Sequence, residues 1–215
     1  MKISLNKKIL DKNEECALQN RAFFQKYGTL CINVISSPGS GKTTLLSRTI
    51  RDLDGQVKIG VIEGDIRTDT DAQKIRAAGA PAVQIETKGS CHLSAEQVTR
   101  AIGSIPAADL DVLFVENVGN LVCPSAFDLG EQARVVVLSL PEGDDKPIKY
   151  PGTFAKADVL LINKIDLIDH LDFDLQRVID HVRILRQDIA IFQVSARTGL
   201  GMDAWYEWLK HKTAV

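Results

Sequence analysis

A three-layer α/β fold, with a mainly parallel sheet of about seven strands between two layers of helices, is predicted by three features of the sequence. Short runs rich in Val, Ile and Leu recur along the chain, and longer amphipathic stretches separate most of them. The short runs are near-continuous instead of alternating, as strands buried on both faces are. Strands are expected at 31–36, 57–63, 82–86, 111–116, 133–140, 158–163 and 189–195. The clearest helices are expected at 42–53, 69–78, 94–103, 172–187 and 202–210. Crossovers between parallel strands should be right-handed, with ligands at the carboxyl ends of the strands. In residues 1–30, Leu10, Ala17, Leu18, Phe23 and Phe24 lie among charged and amide residues. They predict an N-terminal extension of one or two helices, packed on a single domain spanning 31–215. The Pro- and Gly-rich stretch 141–152 reads as a loop of that domain.

The charge balance, 26 basic against 28 acidic residues in 215, gives no reason for wholesale attraction to nucleic acid or anionic lipid. No apolar run approaches the ~20 residues that span a bilayer. The segment MKISLNKKILDKNEEC lacks the apolar core of a secretion signal, and no lipidation motif is present. Four cysteines, at 16, 31, 91 and 123, are few for a disulfide scaffold. A cytoplasmic protein with neither nucleic acid nor membrane as partner is the expectation.

The sharpest motif is Ser36-Ser37-Pro38-Gly39-Ser40-Gly41-Lys42-Thr43-Thr44, directly between a predicted strand and a predicted helix. Phosphate binding needs backbone N–H groups converging on the anion, which glycines permit and a helix N-terminus reinforces. Pro38, Gly39, Ser40, Gly41, Lys42, Thr43 and Thr44 are therefore the expected nucleotide cradle, a P-loop. Lys42 would reach the β- and γ-phosphates and the Thr43 hydroxyl would hold Mg²⁺. The P-loop consensus opens with Gly where this chain has Ser36.

Asn163-Lys164-Ile165-Asp166 follows at the end of a later predicted strand. Guanine presents N1–H and an N2 amine as neighbouring donors, and the Asp166 carboxylate can accept both. The Lys164 stem can lie along the base and Asn163 can brace the loop. Ser195 and Ala196, closing the last strand, are placed to meet the guanine O6. The nucleotide is therefore expected to be GTP or GDP, and a P-loop small-molecule kinase would have no use for this second motif.

Two acidic strand ends belong to the same edge. Glu116, with Gly119 three residues on, suits Mg²⁺ and a backbone N–H at the γ-phosphate. Asp65 suits Mg²⁺ or the attacking water. Either acid reads also as a carboxylate capping a helix. Cys91-His92, with Cys123 four residues beyond Gly119, gives two thiolates and an imidazole suited to Zn²⁺ or Ni²⁺. By spacing alone, buried cysteines and a hydrogen-bonded histidine fit equally well. Three ligands fall short of a closed tetrahedral site, which favours sharing between two chains.

Together with Cys91-His92-Leu93, the runs ENVGNLVCP (116–124), FDLGE (127–131), EGDDKP (142–147) and NKID closely resemble the HypB family of GTPases, which help deliver nickel to nickel–iron hydrogenase. The resemblance runs from about residue 30 to the C-terminus. It implies a P-loop NTPase fold of the SIMIBI class, slow hydrolysis of GTP, and a homodimer linked by nucleotide. It also implies that Cys91, His92 and Cys123 hold nickel or zinc near the dimer interface, and that Lys149 reaches the nucleotide of the other subunit. The partners implied are a second nickel accessory protein of the HypA type and the hydrogenase large-subunit precursor. Cys-rich or His-rich nickel tracts found in some members are missing from these residues, so no second tight nickel site is expected.

Gly119 and Cys123 are separated by at most ~14 Å of extended chain. A γ-phosphate that draws in the Gly119 N–H would thus pull on a metal ligand. No glutamine is obviously placed to orient water and no arginine finger is evident, so intrinsic turnover should be slow. Two other readings compete with this one. The first is a GTPase of the same class serving urease or a cobalamin-dependent mutase, against which the CH…ENVGNLVCP arrangement speaks. The second is a non-catalytic metal-binding module that uses nucleotide only to dimerise.

Overall fold

The computed structural model describes residues 3–65, 70–87 and 89–214. Seven strands alternate with helices: β1 (Leu30–Ser36), β2 (Ile59–Asp65), β3 (Ala82–Glu86), β4 (Val112–Glu116), β5 (Ala133–Ser139), β6 (Val159–Asn163) and β7 (Ala190–Val194). They form one sheet ordered β3-β2-β4-β1-β5-β6-β7, every neighbouring pair parallel. The carboxyl ends of all seven strands therefore lie along one edge.

The helices are α1 (Ile3–Tyr27), α2 (Lys42–Asp52), α3 (Thr70–Ala77), α4 (Ala95–Ile102), the short α5 (Lys146–Lys149) and α6 (Pro151–Phe154), α7 (Leu175–Leu185) and α8 (Met202–Thr213). Side chains alternate across each strand, so the sheet feeds two cores. On one face Leu45, Leu46 and Ile50 of α2, Ile75 of α3 and Trp205 and Leu209 of α8 cover Val34, Val61, Phe114 and Leu161. On the other, α1 and α4 cover Cys31, Ile62 and Val115, and α6 and α7 cover Val136, Leu160 and Ile162. Trp205 packs into the first core, with its Nε1–H donated to Thr49 Oγ1 at 3.1 Å and Trp208 stacked on it. No helix among the described residues is long and apolar enough to cross a membrane.

Three local expectations need correction. The second strand begins at Ile59 and not at Val57, because the Val57 N–H closes on Leu53 O and the Lys58 N–H on Asp111 Oδ2. The stretch 141–152 is not an open loop. Ser139 and Glu142 form a reciprocal cap, and Pro147 and Pro151 start the short helices α5 and α6, where a missing N–H costs nothing. Leading residues form one packed helix, and of the apolar residues that predicted it only Ala17 and Phe24 are fully buried. Leu10 and Leu18 are exposed, whereas Asn13, Ala17, Asn20 and Phe24, spaced by three or four, are buried.

Candidate functional site

The loop after β1 turns directly into α2, so Lys42 opens the helix with the free N–H groups of its first turn facing the strand ends. Ser36, the departure from the glycine consensus, is completely buried and serves as a hub. Its hydroxyl oxygen accepts from Lys42 Nζ at 2.8 Å and from Ser40 Oγ at 2.5 Å. Lys42 is thereby held over the loop. A cavity of about 450 Å³ opens there, lined by Pro38, Gly39, Gly41, Lys42, Thr43 and Thr44 on one side and by Glu63, Glu116 and Gly119 on the other. Gly119 faces the loop so closely that a Cβ on it would lie 3.0 Å from Pro38 Cα. Any larger residue would push the two loops apart.

Glu116 ends β4, and the Thr43 hydroxyl donates to its Oε1 at 2.9 Å. Glu63 sits opposite Glu116 in the β2–β4 register. Burial first, and the Glu116 charge second, push the Glu63 carboxyl up to about 10. Burial also raises Glu116, against the pull of Lys42. Glu63 is therefore the member of the pair that keeps its proton. Glu63 Oε1 and Glu116 Oε2 are buried with no hydrogen-bond partner among the described residues. Such oxygens beside a hydroxyl fit a hard cation such as Mg²⁺. The motif reading singled out Asp65 and passed over Glu63, whose place is visible only from strand register. The side chain of Asp65 lies outside the described residues. Asp71 and Lys74 of α3 also line the cavity and were not foreseen.

The second motif meets the first across the strand ends. Asn163 Nδ2 donates to Ser40 O at 2.8 Å, and its Oδ1 accepts the Ala196 N–H at 3.1 Å. Lys164 has φ 64°, unusual for a side chain with a Cβ, and its Nζ donates to Gly39 O at 2.7 Å. Asp166 Oδ1 is buried without a hydrogen-bond partner among the described residues, an acceptor suited to the donor edge of guanine. The Ser195 N–H closes on Leu200 O at 2.8 Å, so Ser195 and Ala196 buttress this loop through bonds of their own. Lys149 stands apart from the cavity, exposed on α5 and paired with Asp145.

Cys91, His92 and Cys123 converge as their types suggested: their donor atoms lie within 4.8 Å of one another. Cys91 Sγ is 3.6 Å from His92 Nδ1. The His92 ring stacks on Phe127 at 3.8 Å, and burial lowers its pKa, favouring the neutral, metal-binding form. A hydrogen bond with Cys123 raises the Cys91 thiol, so a bound cation would have to displace a proton there. Two sulfurs and one imidazole at this spacing fit the radius of Zn²⁺ or Ni²⁺. Asn120 ties the two ligand loops together, donating to Cys91 O at 3.3 Å and accepting the Val122 N–H at 2.8 Å. Cys31 is buried in β1 with its thiol pushed up by desolvation, and takes no part.

A buried polar chain joins the two sites. Asn117 Oδ1 accepts the N–H groups of Val118, beside Gly119, and of Leu93, beside His92. Asn117 Nδ2 donates to Asn33 Oδ1, and Asn33 Nδ2 donates to Glu131 Oε1 at 3.2 Å. Glu131 holds Arg134, whose guanidinium donates to the carbonyls of Ser125 and Phe127, just beyond Cys123.

Residues 30–193 match the model of the CobW/HypB/UreG nucleotide-binding domain. The chain is 50% identical over 210 residues to the hydrogenase maturation factor HypB of Azotobacter chroococcum mcd 1, covering 98% of this chain and 69% of that one. The crystal structure of the hydrogenase maturation factor HypB from Archaeoglobus fulgidus superposes with a TM-score of 0.89 at 36% identity, over 95% of this chain and 100% of that one. That of HypB from Helicobacter pylori in complex with nickel gives 0.88 at 37% identity, over 94% and 95%. The signal recognition particle receptor FtsY from Elizabethkingia anophelis, 15% identical, shares the fold alone, with a TM-score of 0.56 over 94% of this chain and 72% of that one.

Proposed function

The chain belongs to the CobW/HypB/UreG nucleotide-binding family and, within it, to the HypB hydrogenase maturation factors, and from that premise we propose that it is a GTP-hydrolysing metallochaperone that carries nickel for hydrogenase assembly. One observation carries the reading. Cys123, one donor of the three-donor cluster, ends the same short loop whose Gly119 is pressed against the P-loop at Pro38. Nucleotide and metal thus act on one segment of chain.

In this reading the P-loop amides and Lys42 neutralise the β- and γ-phosphates of GTP, and the Gly119 N–H meets the γ-phosphate. Asp166 accepts from the guanine edge while Lys164 and Asn163 hold the base loop against the P-loop, with Ser195 and Ala196 lining its edge. Mg²⁺, held by Thr43 with Glu116 and Asp65 beside it, supplies charge neutralisation at the transferring phosphoryl group. Asp65 orients the attacking water. Among the described residues Lys42 and Lys74 are the cations that line the cavity, and in this reading intrinsic hydrolysis is slow and a partner accelerates it.

Nickel is the cargo, taken by Cys91, His92 and Cys123; zinc fits the same donors. The HypB from Helicobacter pylori with nickel bound, at 37% identity, supports the first choice. GTP links two copies into a homodimer. Lys149 then reaches across to the other nucleotide, and the exposed Val122 and Ile148 beside Cys123 and Lys149 supply apolar contact. The loss of γ-phosphate relaxes the 119–123 loop and changes the metal site, a switch of the order–disorder kind. A HypA-type accessory protein and the hydrogenase large-subunit precursor are the partners, in the cytoplasm.

The test is the affinity for Ni²⁺ and Zn²⁺ with GDP and with a non-hydrolysable GTP analogue, with oligomeric state recorded throughout. Affinity that shifts with nucleotide, and a dimer that appears with the analogue, support the switch. A Cys123→Ala protein with the same nucleotide-dependent shift as the parent would sink it.

A further inference from the structure

We infer that α1 is a splint for the metal site, and that Asn13 and Asn20 are its positioning residues. The inference rests on reading Cys91, His92 and Cys123 as metal ligands. Those ligands belong to two segments far apart in sequence. Cys91-His92 run into α4, which starts at Ala95, and Cys123 runs into the turn at Asp128–Gly130. The separation of these two segments sets the distance between the cysteines; Asn117 and Asn120 bridge them on the nucleotide side, and α1 bridges them on the other.

Two asparagines of α1 bond both segments at once. Asn13 Oδ1 accepts the Ala95 N–H at 2.9 Å, and Asn13 Nδ2 donates to Asp128 O at 2.8 Å. Two turns on, Asn20 Nδ2 donates to Ala95 O at 3.0 Å and to Leu129 O at 2.9 Å, while its Oδ1 accepts from Thr99 Oγ1. Both amides are buried, and every polar atom of each is used. Between α1 and the stacked pair of His92 and Phe127 lies a cavity of about 320 Å³, also walled by Asn13. The ring of contacts is therefore closed: α1, the start of α4, His92, Phe127, Asp128, and back to α1.

The local chemistry suits this role. Ala95 is the first residue of α4, and its N–H has no partner within that helix. The Asp128 and Leu129 carbonyls belong to a turn that pairs with no strand. Asparagine is a poor choice for a helix interior, and two on one buried face need a reason outside the helix. Gly130 completes the fit. A Cβ there would lie 2.5 Å from Ala17 O, so α1 rests directly on the turn.

The test titrates Ni²⁺ alone into the nucleotide-free full chain. It follows affinity and the thiolate-to-nickel absorption band, with GDP affinity and melting temperature measured on the same samples. Asn13→Ala should weaken Ni²⁺ binding about ten-fold, as loss of outer-sphere support does, and alter the band, with GDP affinity within about two-fold of the parent. Asn13→Asp keeps an acceptor for the Ala95 N–H and loses the donor to Asp128, so it should retain α4 and still weaken Ni²⁺. Leu209→Ala, buried on the opposite face of the sheet, should lower the melting temperature without touching Ni²⁺. Parental Ni²⁺ affinity and an unchanged band in both Asn13 variants would overturn the inference and leave the ligand assignment standing. Undiminished Ni²⁺ binding by Cys123→Ala would overturn both.

Discussion

The Leu93 N–H donates to Asn117 Oδ1 at 3.0 Å, an oxygen that also accepts the Val118 N–H at 3.0 Å. A single side-chain atom thus fixes the residue after His92 relative to the residue before Gly119. If the nucleotide loop moves, this atom carries the displacement to the Cys91-His92 side of the metal cluster. The Asn33–Glu131–Arg134 chain carries it to the Cys123 side. This physical connection predicts a coupling energy between the two sites.

Asn117→Ala should therefore bring the ratio of metal affinities in the GDP and GTP-analogue states towards one. It leaves two N–H groups and the Asn33 Oδ1 without the partner that Asn117 supplies, so stability should fall by about 1–3 kcal/mol. Metal titration in both nucleotide states and chemical denaturation check the two parts. A preserved ratio alongside a loss of stability would assign Asn117 to structure only.

Lys42→Ala should abolish measurable phosphate release, because it removes the one cation that Ser36 holds over the loop. The proposed metal ligands are on other segments, so Ni²⁺ affinity without nucleotide should stay within about two-fold of the parent, as expected for separate sites. A phosphate-release assay and a metal titration on the same preparation separate these effects.

The Glu63 proton gives a pH signature. Its carboxyl is raised from an ordinary value near 4.5 to about 10 in the folded chain. Across that window the native state binds a proton that the unfolded chain has released. Stability without nucleotide should then decline as pH rises from about 5 towards about 10, with a contribution of at most about 1.4 kcal/mol per unit. Glu63→Gln, neutral at every pH, should flatten that slope. Denaturation at pH 6 and pH 9 for parent and variant measures it, and parallel slopes would remove Glu63 as the source.

Asp166→Asn should weaken GDP binding about 10²- to 10⁴-fold, since a charged acceptor for two donors is lost. Xanthine carries a carbonyl oxygen where guanine carries the N2 amine. The amide of the variant can donate to that oxygen, so xanthosine diphosphate should bind the variant better than GDP does. Competition binding with the two nucleotides decides it.

What could be read from the sequence was what is written contiguously. The loop 36–44 and the run 163–166 each fall in one stretch at a strand end, and apolar runs marked every strand, buried in the centre of the sheet and half-buried at its edges β3 and β7. Glu63 escaped because its partner is set by the register of β2 on β4, which no local pattern encodes. The inward face of α1 escaped for a different reason. Hydrophobicity favours Leu10 and Leu18, yet packing selected Asn13 and Asn20, because the surface they meet presents bare N–H and C=O groups. The Pro- and Gly-rich composition of 141–152 is that of a loop, yet Pro147 and Pro151 sit in the first turns of α5 and α6, where proline fits a helix.

The strand order separates two tasks on either side of β1. Asn163, Lys164 and Asp166 follow β6, and Ser195 follows β7, whereas Cys91-His92 lie between β3 and α4 and Cys123 lies after β4. No metal-ligand segment is attached to the half that reads the base. Under the proposed assignments, changing which base is read therefore alters no segment that carries a proposed metal ligand. If the proposed coupling holds, a protein made to answer to a nucleotide foreign to the cell would keep its metal chemistry and become an orthogonal valve, opened by an added compound.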